Sequence, residues 1–295
     1  MSELCEKVKH LNSELDTDRI LSGDYNSHKD IKFYYRINRL PYRLMHSQEG
    51  FMHFRVSQNG VFSEDDIFYQ PNTISAYIPP RARVLELGPG QGSNLVYLAS
   101  RHPNARFYGV DLVPAKLKNP PRNLRILKRD YSDMSCFPDN AFHVIYAIET
   151  IVHGSNKEKV FQEVFRVLKP GGVFIVYDYT LEREYEEYDP LTQKGLALIS
   201  KGGASAIIES ERAWRNYFVS TGFKEEKVAD LSRQVLPDMR RLQRKAAKVL
   251  DYPNRTKWAF RFFPELFANN AILAYLIYDA CQEGVFHYKE WIFRK

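Results

Sequence analysis

The sequence predicts an α/β fold built around a mainly parallel sheet. Three observations carry that prediction. Apolar runs of strand length alternate with helical patterns from residue 82 onward. Glycine stands at positions 88, 90 and 92, between the first strand and the first helix of the series. No internal repeat or low-complexity segment breaks the alternation.

Taken in order, residues 1–78 read as an N-terminal helical and aromatic lid. It is polar, helical or frayed to about residue 30, then rich in Tyr and Phe through "IKFYYRINRLPYRLMHSQEGFMHF". Pro79 and Pro80 punctuate the chain before an α/β core spanning 79–230. Within it "ARVLEL", "ARFYGVDL", "LRILKRD", "AFHVIYAIE" and "GVFIVYDYT" read as strands, with "GSNLVYLASRH" a helix after the first. "NKEKVFQEVFRVL" places Val160, Phe161, Val164, Phe165 and Leu168 on one helical face, and "KPGG" is expected to stop that helix. "ESERAWRNYFVSTGF" reads as a further helix leading to a sixth strand near 223–229. Residues 231–283 read as a helical insertion capping a site, and 284–295, "GVFHYKEWIFRK", as the final strand of the core. Strands joined through helices imply right-handed crossovers.

Composition narrows the class. The chain has 295 residues, and 42 basic against 36 acidic residues leave a net charge of +6. That excess permits an anionic partner without requiring one. Cys5, Cys136 and Cys281 are far apart and show no zinc spacing, so reduced thiols, a cytoplasmic setting and no metal site are expected. The charged N-terminus lacks a signal-peptide core, and the most apolar segment, "AILAYLIYDAC", is too short to span a bilayer and carries Asp279.

The glycine loop defines the ligand class. Its spacing, E-x-G-x-G-x-G, matches neither the dinucleotide fingerprint nor the phosphate-binding loop with its lysine. In open α/β sheets ligands sit beyond the carboxyl ends of strands, and Gly88, Gly90 and Gly92 allow one to approach the backbone there. Glu86, just before them, suits an ammonium group rather than a pyrophosphate. Asp111 at the end of the second strand suits a pair of ribose hydroxyls. Asp130 and Tyr131 after the third suit an adenine amino group and ring face. An acid for an amine, an acid for a ribose and a polar–aromatic pair for a base describe S-adenosylmethionine.

"VLELGPGQG", "VDL", "RDYSDMSCFPDNAFHVIYAIE" and "VLKPGGVFIV" follow one another as the motifs of class I S-adenosylmethionine-dependent methyltransferases do, and the chain resembles that family. The resemblance implies a Rossmann-like seven-stranded sheet whose last strand is antiparallel. It also implies S-adenosylmethionine as cofactor and S-adenosylhomocysteine as product, with Asn94, Leu112 and Ile148 joining the cofactor-binding residues. The segments "FPDNAFHVIYAIETIVH", "VYDYTLEREYEEYDPLTQ" and "DLSRQVLP" further resemble sterol 24-C-methyltransferases and relatives acting on prenyl and other lipophilic small molecules. The glycine loop departs from the cysteine-containing "DVGCGVG" form of the sterol enzymes, and the upstream aromatic region lacks their tryptophans.

The implied reaction is methylation of an alkene carbon of a sterol- or prenyl-type acceptor through a carbocation. Aromatic faces stabilise such a cation, and a carboxylate or imidazole removes the proton. Glu149 and His153 are the candidate bases, four apart, and a helical start after the fourth strand would put them on one face of the pocket. Tyr35 and Asp178 join them as catalytic candidates, and Tyr34, Phe54 and Tyr179 as acceptor-binding ones. Other readings stay open: Glu149 as a backbone hydrogen-bond acceptor, His153 as a satisfied core histidine, and the aromatic cluster as packing. N- or O-methylation of an amine, phenol or acid is the alternative activity, and a cofactor-binding protein without turnover the non-enzyme one. "AIETIVH" replaces the Asn/Asp-Pro-Pro-aromatic element of base methyltransferases, so nucleic acid is not expected as a partner. The run "MRRLQRKAAK" (239–248) reads as a solvated helix face, with a diphosphate or a peripheral membrane contact as its functional readings. Homo-oligomerisation stays open.

Overall fold

The computed structural model describes residues 2–22, 50–154, 156–262 and 265–295. At its centre lie seven strands: β1 (Arg83–Leu87), β2 (Arg106–Asp111), β3 (Leu124–Lys128), β4 (Phe142–Ile148), β5 (Leu168–Leu181), β6 (Lys224–Asp230) and β7 (Phe286–Arg294). Their order in the sheet is β3-β2-β1-β4-β5-β7-β6. β1 to β5 pair in parallel, while β7 runs antiparallel to both β5 and β6. The order reverses direction beside β1, which places the β1 loop at the switch point where ligands bind open α/β sheets.

Side-chain alternation explains the two cores. Val84, Val144, Tyr146, Ile175, Tyr177 and Tyr288 face one side of the sheet. Leu85, Leu87, Ile145, Phe174, Val176 and Trp291 face the other. Strands buried on both faces carry apolar residues at nearly every position, as a parallel sheet covered by helices requires. The edge strands are the exceptions: β3 is buried only at Leu124, and β6, with the sequence KEEKVAD, is largely exposed, where charge disfavours pairing with another chain.

Helices pack on both faces of the sheet. They are α1 (Glu3–Glu14), α2 (Thr17–Ser22), α3 (Tyr69–Ala76), α4 (Ser93–Arg101), α5 (Lys157–Val167), α6 (Pro190–Gly202) and α7 (Glu211–Thr221). Then follow α8 (Ser232–Leu250), α9 (Pro253–Phe262) and α10 (Glu265–Gln282). α5 and α7 pack over the Leu85–Trp291 side, where the Phe218 and Phe293 rings stack with centroids 3.7 Å apart. α5 ends at Val167, and Leu168, expected on its face, is already extended and opens β5. The helix therefore stops ahead of "KPGG", not at its glycines.

α6 was not expected as a helix. Asp189 caps it by accepting from the amides of Leu191 and Thr192, and Pro190 occupies its first turn. It packs closely on α10: a Cβ on Gly202 would lie 2.4 Å from the Asn269 carbonyl oxygen. α1 packs on α6 in turn, with Leu4, Val8 and Leu11 buried. The apolar segment of α10 is thus an interior helix, and its Asp279 is met by Lys7 and Gln243, each at 2.7 Å. Among the described residues no helix is long and apolar enough to cross a membrane. Cys5, Cys136 and Cys281 are all free thiols.

Candidate active site

The turn after β1 is left-handed at each glycine: φ is 60° at Gly88, 53° at Gly90 and 79° at Gly92. The sequence offers these glycines as room for a ligand, but protein atoms take up part of that room. A Cβ on Gly88 would sit 1.9 Å from the Thr150 hydroxyl, and one on Gly92 would meet Leu117 and Ile126 at 3.1 and 3.3 Å. Protein atoms therefore account for two of the three glycines. Only at Gly90 is the nearest neighbour at ordinary contact distance, Met52 Sδ at 3.4 Å.

Around this turn the predicted acids occupy successive strand ends. Glu86 is buried, and accepts hydrogen bonds from Tyr146 (3.0 Å) and Asn94 (3.5 Å). Burial pushes its carboxyl up to about 8, with those two bonds opposing. No ion pair to Glu86 forms among the described residues, so a cationic ligand head would meet a carboxyl lacking a counter-charge. Asp111 accepts from the Gly90 amide (3.0 Å) and the Val113 amide (2.7 Å), which ties the end of β2 to the glycine turn. Burial raises its carboxyl as well. Asp130 accepts from the Ser132 amide at 2.8 Å. The Tyr131 hydroxyl donates to the Thr150 carbonyl at 3.0 Å, so its polar end is engaged by protein. Glu86 and Asp111 thus lie at the ends of β1 and β2, and Asp130–Tyr131 just beyond β3, three strands that are consecutive in the sheet. An elongated cofactor with amine, ribose and base in that order fits this succession. Leu112 is half-buried beside Asp111, and Ile148 is buried at the end of β4.

A cavity of about 240 Å³ opens from Glu86, Gly88, Gly90 and Asn94 past Ile148, Glu149 and Tyr179. It continues between helices, where Ile199, Leu242, Ala246, Phe260, Ala271 and Ile277 give it apolar walls. Glu149 stands at the junction. Its Oε1 accepts from the Phe54 amide at 2.7 Å, and the Tyr179 hydroxyl donates to its other oxygen. Burial pushes this carboxyl to about 8, against the bonds from Tyr179, Phe54 and Tyr288. The Phe54 ring meets Tyr179 edge-on with centroids 6.2 Å apart, and Phe286 lies 5.0 Å from Tyr179 on another side.

Glu149 and His153 do line one cavity, but not through a helix. Glu149 has φ 49°, a left-handed conformation rare outside glycine, and a short 3-10 turn starts only at Ile151. The His153 Nδ1 lies 3.2 Å from the Ala204 carbonyl, and burial lowers its basicity. Asp178 does not reach the cavity lining. Its oxygens accept from the Val152 amide (3.1 Å) and the Tyr179 amide (3.0 Å), so it anchors the 150–153 turn from behind. That position corrects its expected catalytic placement. Strand alternation is the reason: Asp178 and Tyr179 point to opposite faces of β5. Tyr34 and Tyr35 lie outside the described residues.

With this geometry in place, residues 85–176 match the family model described as "Methyltransferase domain". The chain carries a class I, S-adenosylmethionine-dependent methyltransferase domain. That domain is similar to the sterol 24-C-methyltransferase of Yarrowia lipolytica, 32% identical over 171 residues, which are 52% of this chain and 43% of that enzyme. The chain thus aligns with less than half the length of that relative. Two solved structures share the methyltransferase fold. A cyclopropane synthase from Mycobacterium tuberculosis has a TM-score of 0.73 at 13% identity, covering 91% of this chain and 98% of that one. A geranyl diphosphate C-methyltransferase from Streptomyces coelicolor A3(2) has a TM-score of 0.63 at 16% identity, covering 92% and 98%.

Sequence reasoning about the methyltransferase site missed His53. It is buried, its Nε2 lies 3.2 Å from Asn94 Oδ1, and burial lowers it to about 4, so it is neutral. The adjacent Phe54 amide holds Glu149, so one dipeptide contacts both ends of the site. Gln70 and Tyr288 were missed too; the Gln70 amide donates to the Phe54 carbonyl (2.8 Å) and the Tyr288 hydroxyl (3.1 Å). No periodicity marks 50–57, which is irregular in the structure, so only the side-chain types offered a signal.

Proposed function

We propose that this chain methylates a carbon of a lipophilic, sterol- or prenyl-type alkene. The observation that supports it best is the continuity of one cavity from the cofactor-side Glu86 and Gly90 to apolar helical walls, with Glu149 between them. Glu86 would hold the cofactor's ammonium, Asp111 its ribose, and Asp130 with Tyr131 its base; Asn94, Leu112 and Ile148 complete the contacts. S-adenosylmethionine supplies an electrophilic methyl group on a sulfonium.

The chain's own residues supply the rest. Apolar walls exclude water and orient an acceptor that has few polar handles. The rings of Phe54 and Tyr179 flank Glu149, where a π face turned to an electron-deficient carbon would stabilise it. Glu149 in its ionised form takes up the proton lost from a carbon next to the cationic one, whose C–H electron pair becomes the new double bond, and the Tyr179 hydroxyl and Phe54 amide hold it in place. A positive charge nearby favours ionisation of a carboxyl otherwise held up to about 8 by burial. His153 lines the same wall as a second proton-accepting group.

The test is incubation with methyl-labelled cofactor and a panel of sterols, prenyl diphosphates, amines and phenols, read by mass spectrometry. Carbon-bound label on a sterol or prenyl compound is expected. Label on nitrogen or oxygen alone would replace this reading with methylation of a polar acceptor. Glu149→Gln should slow turnover about 100-fold or more, with cofactor affinity nearly unchanged. An unaffected rate would remove Glu149 from the proton step.

A further inference from the structure

Among the described residues, large apolar side chains that are well exposed are few, and most stand singly at Val61, Val113, Ile207 and Val219. The exception is the stretch 252–262, where Tyr252, Trp258 and Phe262 are 53%, 55% and 65% exposed. Scattered exposed apolar residues need no explanation, whereas a cluster of aromatics does. Trp258 and Phe262 are one helical turn apart on α9, with ring centroids 5.7 Å apart. Arg255, Trp258 and Phe262 recur at i, i+3 and i+7, which puts them along one ridge.

The ridge is also basic. Arg255 lies over the Tyr252 ring at 4.5 Å, and Arg261 lies by the Phe262 ring at 5.8 Å. Lys257 is exposed, and its contact to Glu14 is long, at 3.9 Å. Besides Glu14, the acids nearest in the chain are Glu265 and Asp251, and Asp251 accepts from the Tyr275 hydroxyl at 2.6 Å. α9 carries no acidic residue of its own. On its inner side, Ala259 and Phe260 line the cavity, so this helix is a wall one helix thick between the apolar chamber and the outside.

We infer that α9 docks on the surface of an anionic lipid bilayer, with Trp258 and Phe262 inserted at the headgroup level and Arg255, Lys257 and Arg261 on the phosphates. An indole with its polar N–H favours that interface, a phenyl ring beside it adds apolar burial, and basic residues add attraction to anionic lipid. Charge complementarity and the cavity wall behind the ridge favour a bilayer over a second protein. The sequence reads 239–248 as a solvated helix face, with a diphosphate or a membrane contact as its functional alternatives. In the structure that run belongs to α8, where Met239, Leu242 and Ala246 are buried and Asp238 pairs with Arg241. The docking surface is the next helix.

The fluorescence of the protein offers a direct test. Of its three tryptophans, Trp214 and Trp291 are fully buried, so a change in emission on meeting lipid reports Trp258. The full chain is mixed with vesicles of phosphatidylcholine alone, or with about a third phosphatidylglycerol to supply surface charge. Expected are co-sedimentation with the charged vesicles, a blue shift of emission, and quenching by brominated acyl chains. Phe262→Ala should lower the partition coefficient about tenfold, as loss of a buried aromatic implies. Arg255→Glu/Lys257→Glu/Arg261→Glu should abolish the preference for charged vesicles. Sedimentation without any change in Trp258 emission, or binding indifferent to both variants, would overturn the assignment. Concentration-dependent dimerisation without lipid, lost in the same variants, would overturn it in favour of a second copy. The measurement needs neither cofactor nor acceptor, so its result is separate from that of the methyl-transfer assay.

Discussion

Glu86 is one of two carboxyls that the fold buries against the cavity without a counter-charge among the described residues. Held up to about 8 by burial, it is mostly protonated at neutral pH in the free protein. A cationic ligand head favours the ionised form, so binding is coupled to loss of that proton. The sign follows: below pH 8 the proton must be displaced, and above it none remains. Cofactor affinity should therefore rise from pH 6 to pH 8, by up to about tenfold per unit, and level off above. Calorimetry in buffers of different ionisation enthalpy should show proton release over the same range. Glu86→Gln should remove the slope along with most of the affinity. A wild-type affinity flat across pH 6–8 would rule out Glu86 as the ammonium's partner.

At the scale of elements, the β1–α4 turn is shaped by its neighbour as much as by any ligand. Gly88 faces the Thr150 side chain, which follows β4, while Gly90 faces more open space. Gly88→Ala should destabilise the protein by roughly 3 kcal/mol or more, through overpacking added to a left-handed φ. Gly90→Ala should cost only about 1–2 kcal/mol for its φ. Thr150→Ala should rescue part of the Gly88→Ala loss. Urea denaturation of the four proteins decides the point; equal costs at Gly88 and Gly90 would defeat the packing explanation. α6 shows the opposite case, an element whose signals were present and passed over. Asp189, Pro190 and the closing Gly202–Gly203 mark its ends, but Gly195 inside the pattern obscures the periodicity. The tertiary structure supplies the reason for that glycine, since a Cβ there would meet Val8 at 3.0 Å.

For the whole molecule, the same buried acids predict how stability depends on pH. Glu86 and Glu149 are raised to about 8 and Asp178 to about 7, each by burial. A carboxyl with a raised folded value keeps its proton after the unfolded chain has released it. Its contribution is full below the unfolded value near 4 and is lost as pH rises through the folded one. His53 is lowered to about 4 and opposes this trend below the ordinary histidine value. The clear window is thus pH 6.5–8, where the cofactor-free protein should lose stability at up to about 1.4 kcal/mol per pH unit for each retained proton. Urea midpoints measured across that range provide the check. Glu86→Gln/Glu149→Gln should flatten the decline, and a midpoint that climbs with pH would contradict the burial of these groups as carboxylic acids.

The order of strands, the glycine turn, and acids at three successive strand ends were legible in the sequence, because hydrophobic period and loop position are set by near neighbours in the chain. The resemblance added the antiparallel last strand, which the pairing of β7 with β5 and β6 bears out. Which side chains close the site was not legible. His53 reaches Asn94 across 41 residues, and the Phe54 amide reaches Glu149 across 95. Asp178 turns to the amides of 152 and 179 instead of the cavity, and Gly88 yields space to Thr150. Local spacing fixes the face on which a residue lies. What it meets there depends on where the sheet and the helical layer bring distant segments together, and that is decided only when the chain packs.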